Sequence, residues 1–205
     1  MADRPPIPVF DVGNVLIRWD PRLLYSKLIA NEAELDDFLS RVCAPEWNLE
    51  MDGGKSFAQG VAERVALFPD KADLIRAFDS RWAETLGGAI EGAVAILEEL
   101  RARKIKTYAI SNFSSEKFAL ASKAFPFLAE FEGAIVSGRE KLLKPDPRIY
   151  RLLCERYGLA AGDCLFIDDS RANVQGAREA GMQAHRFENP ERLRAALKQA
   201  GLPLD

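Results

Sequence analysis

Three acids, a serine and a lysine carry the chemistry open to this chain. Asp11 directly follows the apolar run Ile7-Pro8-Val9-Phe10, Ser111 follows Ile110, Asp168 and Asp169 follow Phe166-Ile167, and Lys144 stands in Lys144-Pro145-Asp146-Pro147. A carboxylate at the carboxyl end of a buried strand is costly unless a cation meets it. Open α/β sheets bind ligands outside the carboxyl ends of their strands, so these separate stretches are expected to converge on one polar site. If Asp11, Asp168 and Asp169 share a cleft, like charges repel by about 4 kcal/mol per pair at an effective dielectric of about 20. A divalent cation removes that conflict, and oxygen-only ligands favour Mg²⁺ over zinc. Mg²⁺ commonly binds through one or two carboxylates plus a phosphate. Lys144 adds positive charge beside such a phosphate, and Ser111 with backbone N–H groups near Asn112 can donate to its oxygens. In that setting Asp11 is the candidate nucleophile, since a carboxylate can attack phosphorus and form an aspartyl-phosphate.

Five short apolar runs read as strands that position these groups: residues 7–11, 106–111, 133–137, 164–168 and 183–187. Helical patterns separate the last four. Ile90, Val94, Leu97 and Leu100 share one face, as do Ile149, Leu152, Leu153 and Tyr157. Ala172, Gly176, Ala177 and Ala180 give a face of small residues, which permits close helix–sheet approach. Such alternation implies right-handed crossovers and a parallel sheet covered on both faces. Residues 20–88 form an exception with no convincing strand. Three apolar stripes there (Leu35, Phe38, Leu39, Val42; Phe57, Val61, Val65, Phe68; Leu74, Phe78, Trp82, Leu86) read as a small helical core inserted after Asp11. Gly53-Gly54 and Gly87-Gly88 read as loop or hinge positions. Asp20, Asp146 and Asn189 each precede a proline, and helix capping is the role favoured for Asp20 and Asp146. For Trp19, Trp47 and Lys55, packing is favoured over substrate contact.

The 205 residues suffice for one sizeable core with a smaller insert. Net charge is −3 with interspersed charges, which excludes a basic stripe for nucleic acid or a polybasic membrane patch. No apolar stretch approaches the ~20 residues of a membrane span. The amino-terminal Met1–Pro6 lacks the apolar region of a secretory signal, and Cys43, Cys154 and Cys164 form no CxxC pair, so free thiols in a reducing cytoplasm are expected. One histidine, His185, excludes a multi-histidine zinc site and is expected to be structural or peripheral.

Phe10-Asp11-Val12-Gly13-Asn14-Val15-Leu16 resembles the first motif of the haloacid dehalogenase-like hydrolases. Ile110-Ser111-Asn112 resembles the second. Ser137-Gly138 followed by Lys144-Pro145-Asp146-Pro147-Arg148-Ile149-Tyr150 resembles the third, and Phe166-Ile167-Asp168-Asp169 with Asn173, Ala177 and Gly181 the fourth. The four occur in the family's order between about residues 7 and 187. The resemblance implies a Rossmann-like α/β core, residues 1–19 and 89–205, with its five strands in the order 5-4-1-2-3, and a helical cap at 20–88. It implies Asp11 as nucleophile, Ser111 as phosphate ligand and Lys144 as the neutralising lysine, Lys141 being the weaker rival. Asp169, Asp168 and the carbonyl of Gly13 are implied as further ligands of a Mg²⁺ that Asp11 also holds. One departure is that Gly13 stands where family phosphatases commonly carry a second Asp as general acid and base, a role worth ~10²–10⁴-fold. The Gly-Asn variant resembles a subgroup that includes sugar-phosphate phosphatases. The expectation is therefore a Mg²⁺-dependent phosphatase of a small phosphorylated metabolite. The alternatives are a metal-independent 2-haloacid dehalogenase, which would use Asp11 on carbon, and a phosphate-binding regulatory protein with little turnover.

Overall fold

The computed structural model describes residues 5–205; Met1–Arg4 of the amino-terminal stretch read above lie outside the described residues. Seven strands form in chain order: β1 (Ile7–Phe10), β2 (Ile17–Trp19), β3 (Leu86–Ala89), β4 (Tyr108–Ser111), β5 (Gly133–Val136), β6 (Cys164–Asp168) and β7 (Gln183–Arg186). Five of them make one parallel sheet in the order β5-β4-β1-β6-β7. This is the strand order that the motif resemblance implies.

The sheet residues alternate between two cores, as the two-residue period of a strand requires. Phe10, Ala109, Val136 and Ile167 face one side. Val9, Ile110, Ile135 and Phe166 face the other. Helix α6 (Glu91–Ala102) and α11 (Pro190–Gln199) cover the first face with Leu97, Leu100, Leu193 and Leu197. Helices α9 (Pro147–Tyr157) and α10 (Arg171–Glu179) cover the second, with Ile149, Tyr150, Leu153 and Ala177. The small-residue face is used in part: Gly176 and Ala177 are buried while Ala172 is exposed. The close approach at Gly176 is to the loop carrying Lys144, since a Cβ there would lie 2.3 Å from the Pro145 carbonyl oxygen. Asp146 and Asn189 cap α9 and α11 through the N–H groups of Arg148 and Arg192, and Asp20 accepts from the N–H of Arg22.

Between β2 and β3 the chain is helical: α1 (Arg22–Tyr25), α2 (Glu32–Asp37) continued by a π-type turn at Phe38–Val42, α3 (Pro45–Asp52), α4 (Phe57–Leu67) and α5 (Ala72–Ser80). The first two stripes fall on α2 with its π-type turn and on α4 with its C-cap Phe68, but only half of the third is on α5: Leu74 and Phe78 are, while Trp82 sits in a 3-10 turn (Trp82–Thr85) and Leu86 in β3. Two further features differ from the sequence reading. Leu86-Gly87-Gly88-Ala89 is a strand, paired antiparallel with β2, rather than a glycine hinge. Gly88 has φ +88°, a conformation glycine adopts without strain, and a Cβ on Gly87 would lie 3.0 Å from that of Arg18. The second feature is α3, which carries no stripe: Trp47 and Met51 are its buried apolar side chains. The remaining helices, α7 (Ser115–Ala124) and the short α8 (Ser137–Glu140), follow β4 and β5.

Candidate active site

The carboxyl ends of β1, β4 and β6 deliver Asp11, Ser111 and Asp168 to one buried cluster. Lys144 enters it from the loop before α9, with 1% of its side chain exposed. Its ammonium bridges Asp11 Oδ1 at 2.7 Å and Asp168 Oδ2 at 2.6 Å. Asp11 Oδ1 also accepts from the Val12 N–H (2.7 Å) and the Ser111 hydroxyl (2.9 Å). The three donors converge on one oxygen, which leaves Oδ2 of Asp11 with no protein donor among the described residues. Asp168 is held by the Ser170 N–H (2.8 Å) and by the Asn173 amide, 3.1 Å from each oxygen. Asp169 is half-buried beside them.

Burial pushes the Asp11 carboxyl up to about 7; the Lys144 charge opposes this and Asp168 adds to it. Burial also works against the Lys144 ammonium, but its two carboxylate partners outweigh that and hold its pKa above the usual lysine value. Asp169 is raised by burial and by its neighbour Asp168. Three carboxylates thus face one ammonium. Asp11, Asp168 and Asp169 each bring an oxygen within 4.8 Å of the others. An all-oxygen donor set with excess negative charge suits a hard divalent cation such as Mg²⁺.

Asn112 is beside this cluster but points elsewhere. Its amide pairs reciprocally with the Lys144 backbone, accepting from the N–H (2.8 Å) and donating to the carbonyl (3.1 Å). The side chain therefore positions the lysine loop. Lys141 is exposed, with a left-handed backbone at φ +55°. Gly13 precedes the turn Asn14–Leu16 that leads into β2, and Asn14 enters it at φ +55° while its Oδ1 accepts from the Trp19 N–H. His185 lies half-buried in β7, outside the cluster.

A cavity of about 250 Å³ lies between the helical insert and the sheet core. Gly13, Asn112 and Phe113 line it from the core; Trp19, Leu49, Phe57 and Trp82 line it from β2 and the insert. Of the three residues weighed for substrate contact, Trp19 lines the cavity. Trp47 is buried in the insert and donates to the Gly60 carbonyl, and Lys55 pairs with Glu50 and Glu63.

Sequence reasoning passed over Asn48, Asp52 and Lys117, which also line the cavity. The Asp52 carboxylate accepts from Asn48 Nδ2 at 2.8 Å and from the Ser114 N–H, and burial pushes it up to about 7 against those two bonds. Its carbonyl accepts from the Ser137 hydroxyl at 2.6 Å, which ties α3 to the core. The four-residue spacing of Asn48 and Asp52, which places them on one helix face, was the available signal.

Parallel strands whose carboxyl ends gather acids around a buried lysine define an α/β fold with its candidate site at the carboxyl edge of the sheet, where such folds bind ligands. The chain belongs to the haloacid dehalogenase-like hydrolases: the model of that family matches residues 9–181. It is similar to a phosphatase of Mycobacterium tuberculosis, 36% identical over 90 residues, which are 43% of this chain and 42% of that protein. The match therefore spans less than half of that relative's length. It is also similar to a sesquiterpene phosphatase of Aspergillus oryzae, 23% identical over 185 residues, 85% of each chain. Among solved structures, a HAD family enzyme of Bacteroides thetaiotaomicron in complex with magnesium and inorganic phosphate superposes with a TM-score of 0.70. The two are 23% identical over 91% of this chain and 96% of that one, a likeness that shows the fold. No helix among the described residues is long and apolar enough to cross a membrane.

Proposed function

We propose that the protein is a Mg²⁺-dependent phosphatase that hydrolyses a small phosphorylated metabolite through an aspartyl-phosphate on Asp11. The observation that carries this reading is the geometry of Asp11: one carboxylate oxygen is fixed by three donors and the other is free. An oxygen so oriented, in a buried site, is positioned for in-line attack. In the proposed step the free oxygen bonds to phosphorus as the bond to the leaving oxygen breaks, and that oxygen takes a proton from solvent, which the water of the second step returns. Water then attacks the phosphorus, releases inorganic phosphate and restores the Asp11 carboxylate. Lys144 neutralises Asp11 and the phosphoryl oxygens during transfer. Ser111, which donates to Asp11 here, turns to the phosphoryl group when one is bound. Asp11 and Asp169, with Asp168 and the Gly13 carbonyl, would hold Mg²⁺, which supplies positive charge for the phosphoryl oxygens.

The helical insert acts as the cap over the cavity. Names of relatives support the phosphatase reading, since both curated proteins above are phosphatases. The third carboxylate supports it over metal-free dehalogenation, where added negative charge would repel an anionic substrate. Free cysteines at 43, 154 and 164 support a cytoplasmic site of action.

The test is phosphate release from a panel of phosphomonoesters, with Mg²⁺ and with a chelator, run beside Asp11→Asn. Turnover should need the metal and fall by about 10³-fold or more in the variant, as loss of a nucleophile does. Release that survives Asp11→Asn, or none from any ester, sinks the proposal.

A further inference from the structure

The cavity under the insert has walls of a particular chemistry. Trp19, Leu49, Phe57, Trp82 and Phe113 present rings and an aliphatic side chain, and the space reaches Gly13 and Asn112 next to the acid cluster. Most of its polar wall groups are already engaged, with the amide oxygen of Asn48 left open among the described residues. Asn48 donates to Asp52, and Asp52 accepts from the Ser114 N–H as well. Lys117 is buried, bonded to the carboxylate and the carbonyl of Asp79, with its ammonium 4.2 Å from the Phe57 ring centre. A sugar placed here would bury several hydroxyls with few open partners, and unpaired polar groups cost binding. A second anionic group would meet Asp52 and the acid cluster. At about 250 Å³ the space is small, just under the usual ~300–1,000 Å³ of ligand pockets, so it admits a single compact group. Flat rings stack favourably against indole and phenyl faces.

We infer that the alcohol esterified to the phosphate is a compact, uncharged aromatic one rather than a polyhydroxylated sugar. This rests on the phosphatase reading above and sets the substrate class of that same site. Leu49 and Trp19 are apolar cavity residues outside the buried core, since Leu49 is 40% exposed and Trp19 is half-buried.

The experiment compares benzyl phosphate with glucose 6-phosphate, both esters of primary alcohols, under the same Mg²⁺ concentration. The ratio of kcat/KM should favour benzyl phosphate by about tenfold or more, as pocket complementarity does, with the difference carried by KM. Leu49→Asn and Trp19→Ala should each shrink that ratio. A binding arm needs no turnover: Asp11→Asn protein is titrated with benzylphosphonate and with methylphosphonate, and indole fluorescence is read, to which the cavity residues Trp19 and Trp82 contribute. Benzylphosphonate should bind about tenfold more tightly or better. Equal or better use of glucose 6-phosphate overturns the inference and leaves the phosphatase reading intact. A ratio unchanged in both variants also overturns it. Selective benzylphosphonate binding without hydrolysis of any ester upholds the pocket's preference and removes the phosphatase reading instead.

Discussion

Lys144 is buried between two carboxylates at 2.7 and 2.6 Å, and the stability of the site turns on that one ammonium. Lys144→Met leaves Asp11 and Asp168 facing each other without compensation. Breaking a buried ion pair in this way costs about 3–5 kcal/mol, to be read from urea unfolding in metal-free buffer; a loss under about 1 kcal/mol would contradict the geometry. Asp52 makes a different prediction. Its folded carboxyl is raised from 3.8 to about 7, so the native state binds the proton more tightly than the unfolded chain does. The stability linked to that proton is complete below about pH 4 and disappears as pH rises through about 7. Asn cannot ionise, so Asp52→Asn should gain on the wild type by on the order of 2–3 kcal/mol between pH 5 and pH 8. Urea midpoints at the two pH values measure it, and a pH-independent difference would count against a buried, protonatable Asp52. Asp11, Asp168 and Asp169 were legible in the sequence because each follows an apolar run. Asp52 carried only the four-residue spacing from Asn48, and an acid in a helix of mixed composition looks like any solvated charge until burial is known.

At the scale of elements, the site depends on how closely α10 approaches the loop that holds Lys144. The Cβ of Gly176→Ala would stand 2.3 Å from the Pro145 carbonyl oxygen, a backbone atom that cannot swing aside. The variant should lose about 1–3 kcal/mol, typical of overpacking, and turnover should fall with it because the shift is passed to Lys144. Thermal unfolding and steady-state kinetics check the two halves separately. Strands β4, β5 and β6 were legible because strands buried on both faces read as continuous apolar runs. Strand β3 was not. Two glycines have low strand propensity, and pairing with β2 overrides it. Helix α3 was missed because its apolar positions, Trp47 and Met51, make too short a stripe.

Across the whole molecule, one buried apolar cluster runs from Phe10, Val136 and Ile167 on the sheet through Leu16 and Ile17 to Tyr25, Trp47 and Phe78 in the insert. A shared core of this kind makes the two parts melt together. All three tryptophans, at 19, 47 and 82, lie in β2 or the helical insert, so their fluorescence reports that part, while far-UV circular dichroism reports every helix. The two urea transitions should coincide, the mark of two-state unfolding. An earlier fluorescence transition would mean that the insert unfolds by itself.

The sequence by itself determined the five strands of the main sheet, that these are parallel, and which acids stand at their ends, because apolar periodicity and chain order are local properties; the antiparallel pair β2–β3 it did not determine. Tertiary structure alone decided which oxygen of Asp11 is held, that Asn112 secures the lysine loop, and which residues of the insert overhang the site. Those depend on distances between segments as far apart in the chain as Asp11 and Ser111, or Asp52 and Ser137, and only the packed chain sets such distances.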